Sequence, residues 1–213
     1  MILALLLAAA APSAVDAEHA FARDAQRIGL WSAFRKYAGR DAVMFSPQAV
    51  WARDFLADRK DPPKSINWRP AQSFVSCDGR MAVNTGPWFT PDGKAGGYFT
   101  TVWERGGQGW RWVYDGGGPL SGPAPAGKPQ VHRASCAGKA KGAPIPPPPV
   151  LTAKQARTTP EDNGRGESAD KTLGWEWKVG MTGERRLRVF QWNGRRYVQV
   201  LRNDVPAPVP NKQ

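Results

Sequence analysis

Histidine and cysteine are scarce: the 213 residues hold two of each. Neither His19 nor His132 has a partner at ligand spacing, so no zinc cage is expected, and a Cys-His or Ser-His dyad has almost nothing to draw on. Acidic residues are also in deficit. Eighteen Asp and Glu against thirty Lys and Arg leave a net charge of +12, which favours anionic surfaces or ligands without naming one. Gly116-Gly117-Gly118 lacks the Lys and Ser/Thr of a phosphate loop and reads as a strand exit. Glu161-Asp162 is an adjacent pair in a Gly/Pro setting, not a carboxylate dyad. These absences leave no reaction legible and no cofactor or metal expected. What is present is enough apolar material for a core, 41% of the chain, punctuated by 23 Gly and 20 Pro. That balance predicts one compact domain plus an extension.

Residues 1–11 form an uncharged apolar stretch with the length of a secretory h-region, too short to span a bilayer. Val15 and Ala17 suit a cleavage site, so residues 1–17 are expected to be a signal peptide and the mature chain to be periplasmic or secreted, without a transmembrane segment. No Cys follows for a lipid anchor, and the usual basic n-region is missing. In an oxidising compartment Cys77 and Cys136 are the only intrachain pair available, and a disulfide between them is expected. The alternative is two unrelated thiols.

From Glu18 to Ala38 apolar residues recur at helical spacing, with Gly29 in the middle, which predicts helices over 18–28 and 30–38. Ser46-Pro47 reads as the cap and first turn of a third helix that ends before Pro62-Pro63. The pattern then turns to strands over 66–77, 81–88, 97–105 and 110–116, separated by turn residues. Helices followed by a meander imply an α+β fold.

Residues 119–150 hold nine of the twenty prolines, so 119–170 is expected to be a linker or surface wrap. Strands return over 173–179, 185–192 and 195–202, giving a three-stranded antiparallel meander within 171–205, and residues 206–213 are expected to be a disordered tail. Asn193-Gly194 signals a two-residue hairpin that pairs Val189 with Val198 and Leu187 with Val200. A four-residue loop at 180–183 would set Trp175 beside Arg188 and Trp177 beside Arg186. An odd or bulged loop would set them with Leu187 and Val189 instead.

The segments Tyr37-Ala38-Gly39-Arg40-Asp41-Ala42-Val43-Met44-Phe45-Ser46-Pro47, Cys77-Asp78-Gly79-Arg80-Met81-Ala82-Val83, Gly97-Tyr98-Phe99-Thr100-Thr101-Val102-Trp103 and Trp110-Arg111-Trp112-Val113-Tyr114-Asp115 are family-like patterns. With the helix order they make residues 18–118 resemble the SnoaL-like and ketosteroid-isomerase-like proteins, which share the nuclear transport factor 2 fold. The resemblance implies a curved antiparallel sheet packed on the N-terminal helices around a cone-shaped, largely apolar pocket. It also implies a sheet outer face that can form a dimer. The family's isomerases place a general-base Asp just before the Pro of the first segment, where this chain has Ser46. Their oxyanion pair, a Tyr on the first helix and an acid on the third strand, is matched here only by Phe21-Ala22 and Thr100. A lone serine cannot take a proton near neutral pH, so isomerase chemistry is not implied. Asp41 stands where the family's segment begins after the helix and reads as a local cap or turn acceptor.

Strand alternation places Trp110, Trp112 and Tyr114 on one face and Tyr98 with Thr100 on one face of the neighbouring strand. With Trp51 and Trp88, the residues Tyr98, Thr100, Trp112 and Tyr114 are the expected pocket lining, the alternative being that the rings simply fill the core. Asp115 is the acid of interest, although alternation turns it away from Tyr114. Residues 18–118 carry fourteen basic and ten acidic side chains, whereas 119–213 carry sixteen and seven. Arg186, Arg188, Arg195 and Arg196 are therefore candidate anion-binding residues for an envelope polymer, lipid headgroup or acidic partner. Export makes nucleic acid an unexpected target. The leading expectation is an exported domain that binds a small apolar ligand, or forms a homodimer through the sheet, without strong catalysis. Two rivals stand beside it: an isomerase, lyase or cyclase with a rearranged site drawing on Asp41, Ser46 or Asp115, and an envelope module working through the basic meander.

Overall fold

The computed structural model describes residues 11–138 and 162–208. The chain opens with α1 (Ala14–Ile28), whose N-terminus is closed by a reciprocal capping box between Ser13 and Asp16. Ala14, Glu18, Phe21 and Ala25 recur on its buried face. Gly29, at φ +102°, separates α1 from α2 (Leu30–Tyr37), as its place in the sequence predicts. A side chain there would collide with the Asp61 carboxylate, which accepts hydrogen bonds from the Ser32 backbone N–H and hydroxyl. The cleavage point expected after Ala17 falls inside the first turns of α1. Trp110 Nε1 donates to the Pro12 carbonyl and Asn84 Nδ2 to the Ala14 carbonyl, so this part of the expected leader packs into the fold. The rest of it, residues 1–10, lies outside the described residues.

The helix expected to start at Ser46-Pro47 is corrected to a hairpin. Here β1 (Ala38–Ser46) turns at Pro47 into β2 (Gln48–Trp51), with Val43 opposite Trp51 and Phe45 opposite Ala49. Pro47 sits at the turn, where no N–H is needed. Only Ala52–Leu56 is helical (α3). The strand expected over 66–77 is split at Pro70 into β3 (Asn67–Trp68) and β4 (Gln72–Val75), both antiparallel to β5 (Met81–Phe89). The intervening loop crosses so close to Gly86 that an added Cβ would lie 2.1 Å from the Arg69 carbonyl oxygen. β6 (Ala95–Gly106) and β7 (Gly109–Gly118) complete the meander, and β7 pairs in parallel with β1.

Two strands arise within the expected linker. β8 (Gln130–Arg133) adds in parallel to β4, and β9 (Asn163–Glu167) pairs with β10 (Leu173–Val179). The C-terminal unit is thus a four-stranded sheet, not three-stranded, in the order β12-β11-β10-β9, with β11 at Arg185–Trp192 and β12 at Tyr197–Val205. Gly164 and Gly166 hide β9 from a propensity reading, yet the indoles of Trp177 and Trp175 lie over them where side chains would clash. The odd loop at 180–184 sets Trp175 opposite Val189 and Trp177 opposite Leu187, so the tryptophans are core, not partners of arginine. The Asn193-Gly194 register is corrected. Asn193 Oδ1 accepts from the N–H groups of Arg195 and Arg196, which widens the loop and pairs Trp192 with Tyr197. A bulge then brings Val189 opposite Leu201.

The larger sheet runs β2-β1-β7-β6-β5-β4-β8 and is mainly antiparallel, so the α+β class holds. Its helix-facing side packs Phe99, Trp103 and Trp112 against Phe21, Phe34 and Leu56. Its other side packs Phe74, Val83, Val102 and Tyr114 against Leu173, Trp175, Trp177, Leu187 and Val189 of the smaller sheet. The layers are helices, large sheet, small sheet. The Cys77–Cys136 disulfide is present, with a Cα–Cα distance of 5.2 Å. Among the described residues no helix is long and apolar enough to cross a membrane.

Candidate functional site

A bulge at Val113 decides the site. Trp103 lies opposite Trp112, but Val102 lies opposite Tyr114, so one residue of β7 is skipped and the alternation inverts. Trp110 and Trp112 consequently face the helices, Tyr114 faces the small sheet, and Asp115 returns to the helix side. There it lines a cavity of about 200 Å³. Phe34, Ile66, Trp68, Trp88 and Phe99 supply most of the apolar wall, and Tyr98, Asp115 and Arg185 the polar groups. Trp88 reaches the cavity because Gly96 and Gly97 leave room for its indole on the β6 backbone; a Cβ on Gly96 would sit 2.1 Å from the ring. The Tyr98 hydroxyl is buried and makes no hydrogen bond among the described residues.

Asp115 Oδ2 accepts from Thr101 Oγ1 at 3.1 Å. Burial, reinforced by the Glu18 charge, pushes its carboxyl up to about 8, against smaller opposing effects of Thr101 and Arg185. Near neutral pH it holds its proton. Behind the wall, Glu18 is fully buried and accepts from Trp68 Nε1 at 2.9 Å, Trp103 Nε1 at 2.6 Å and Asn84 Nδ2 at 3.2 Å. Burial pushes Glu18 up to about 7 despite those three donors. Arg185 enters from β11 of the small sheet. Its Nη2 donates to the Gly117 carbonyl at 2.7 Å, and its guanidinium carbon lies 4.6 Å from the Phe45 ring centroid.

Of the residues expected at the site, the structure brings together Trp88, Tyr98 and Asp115. The others lie elsewhere. Trp112 is sealed in the helix-side core 5.9 Å from the Phe34 ring, and Tyr114 sits between Phe45 and Trp175. Trp51 packs on the small-sheet side, under the Arg53 guanidinium. Thr100 is buried, donating to Thr85 Oγ1 and accepting from Asn203 Nδ2. Asp41 is exposed beside Arg53, and Ser46 is exposed at the hairpin end. Arg186 is paired with Asp204 and Arg188 with Glu176, while Arg195 and Arg196 are exposed in the 193–196 turn. Among the described residues no group of three or more His, Cys, Asp or Glu could hold a metal ion.

Glu18 was not singled out by the sequence, and Arg185 was read only with the basic run of the meander, not at the cavity. Glu18 carries a signal, an acid in the series 14, 18, 21, 25 that otherwise marks the buried face of α1. The place of Arg185 at the cavity carries none, because it depends on how two sheets stack. No protein-family model, curated protein or solved structure matches the chain.

Proposed function

We propose that this is an exported SnoaL-like domain whose sheet curves around the helices to hold one small, largely apolar molecule, with Asp115 as its polar contact. The observation that carries this reading is a carboxyl, beside the Tyr98 hydroxyl and the Arg185 guanidinium, on the wall of a mostly aromatic and aliphatic cavity of about 200 Å³. A cavity of roughly 150 Å³ takes up benzene, so this one accommodates a single ring with a substituent. Helices that precede a mainly antiparallel meander support the reading, and the disulfide supports export. Ligand holding is favoured over dimerisation through the sheet, because the small sheet already covers that face. Basic side chains on the small sheet support an envelope module less well, since Arg186, Arg188 and Arg202 are each engaged by Asp204 or Glu176.

A protonated Asp115 donates a hydrogen bond; it does not abstract a proton. A carbonyl compound is therefore its natural partner, and an acid-catalysed reaction is the second reading, favoured by the carboxyl held near 8. Titration calorimetry with cyclohexanone as probe tests binding. Saturable binding is expected, weakened about tenfold in Asp115→Ala, the effect of roughly one hydrogen bond, and largely kept in Asp115→Asn, whose amide still donates. Because the donor is the neutral acid, affinity should fall as pH rises through about 8. The ionisable groups around it are Tyr98 and Arg185 on the same wall, Glu18 behind it and Tyr114 on the other face of the sheet. Absence of saturable binding at every pH would remove the reading.

A further inference from the structure

We infer that the cavity selects a monocarboxylate with an apolar body, its carboxylate held by Arg185 from the small C-terminal sheet. This rests on the ligand-holding reading and adds the class of ligand. The first observation is a contrast within one sheet. Arg186, Arg188 and Arg202 each have a carboxylate partner, whereas Arg185, half-buried on the cavity wall, forms no ion pair among the described residues.

Its one hydrogen bond among the described residues, from Nη2 to the Gly117 carbonyl, leaves most of the five guanidinium N–H donors for a ligand, and the face over Phe45 fixes the plane of the fork. A half-buried cation without a counter-charge is costly, and an incoming carboxylate offsets that cost through paired, charge-assisted bonds. The second observation is that the acid on the same wall makes no ion pair with Arg185 among the described residues. Asp115 is bonded to Thr101, and burial favours its neutral form, which places a hydrogen-bond donor beside the cation. The third is the Tyr98 hydroxyl, a further polar group on this wall that makes no hydrogen bond among the described residues.

The wall thus presents one positive charge and neutral donors to an apolar space of about 200 Å³. A compact ring or short branched chain bearing one carboxylate matches it in charge and size; a dianion would leave a second charge without a partner in the apolar wall.

Cyclohexanecarboxylate and its neutral isostere cyclohexanecarboxamide separate this inference from the reading beneath it, using calorimetry on the full chain at pH 7 and 0.15 M salt. The carboxylate is expected to bind at least tenfold tighter than the carboxamide. Arg185→Met should abolish that preference, bringing the two affinities within about twofold of each other, and the carboxamide binding that remains shows that the cavity has survived. Arg185→Lys, which keeps the charge and loses the fork, should retain a reduced preference and decides the matter if the methionine variant does not fold. Arg186→Met, the neighbour paired with Asp204, should leave the preference unchanged. Equal affinities in the wild type, or a preference that persists in Arg185→Met, would overturn the inference with ligand holding intact. Binding of neither compound would overturn both.

Discussion

Glu18→Ala is expected to destabilise the protein by roughly 4–6 kcal/mol, read as a shift in the urea midpoint at pH 7. Three donors converge on this carboxylate, the indole N–H groups of Trp68 and Trp103 and the amide of Asn84, and all are enclosed by the helix-side core. Truncation orphans them together, at about 1–3 kcal/mol each, and adds a void of a few methylene groups. Relief from burying the charge offsets part of the loss. Glu18→Gln keeps the volume but turns an amide N–H toward one of the donors, so it should lose less, about 2 kcal/mol. The pH dependence discriminates further. The folded state raises Glu18 from 4.5 to about 7, so its linkage contribution is fully present below 4.5 and is lost as pH rises through about 7. Asp115, raised from 3.8 to about 8, extends the same trend upward. The wild type should therefore be less stable at pH 8.5 than at pH 5. The deficit of Glu18→Gln should shrink across that interval. A deficit independent of pH, or an alanine variant within 1 kcal/mol of wild type, would show that the carboxylate does not organise this core.

The parts of the fold visible in the sequence are those governed by local chemistry. Gly29 interrupts a helical stripe, and Asp78-Gly79, Asp92-Gly93 and Gly106-Gly107 mark the ends of strands. What stayed hidden depends on partners distant in the chain. Gln130–Arg133 is a strand because the edge of β4 needs hydrogen bonds, not because its residues favour extension. Asn163–Glu167 is a strand because Trp175 and Trp177 need flat backbone beneath their rings. Ser46-Pro47 has the chemistry of a helix start, but Gln48–Trp51 gains more by pairing with β1 than a free helix could gain from its cap.

Asp115 shows how narrow the margin is for a site. Strict alternation separates it from Tyr114, and that separation is real, but the bulge at Val113 also separates Tyr114 from Trp112. The aromatics expected to line one pocket were thereby divided between two cores, leaving Trp88 and Tyr98 at the cavity. A single skipped residue carries no compositional mark. Arg185 was further out of reach, since its role depends on the small sheet closing over Phe45 and Gly117, a contact spanning 68 residues of chain between Arg185 and Gly117.

Replacing both cysteines by serine should cost about 4 kcal/mol in the chain-entropy model, because the Cys77–Cys136 bond closes a separation of 59 residues. The bond sits where three segments meet. Cys77 N–H donates to Thr172 Oγ1, Ser135 N–H to the Trp192 carbonyl, and Gln191 Nε2 to the carbonyls of both Val75 and His132. These contacts join β4, β8 and the small sheet at one corner, so the loss should not be uniform. Amide hydrogen exchange in the double variant should accelerate most in β8 and β12, which lie at sheet edges, and least in β5 and β6, which are central. The sheet that presents Arg185 is held at this corner through Gln191 and Trp192, so looser edges should also weaken the preference for a carboxylate probe in whatever fraction remains folded. A loss below about 1 kcal/mol with uniform exchange would mean that the apolar contact between the sheets docks them without the covalent tie, and that the bond adds little beyond what Trp175, Trp177 and Leu187 already secure.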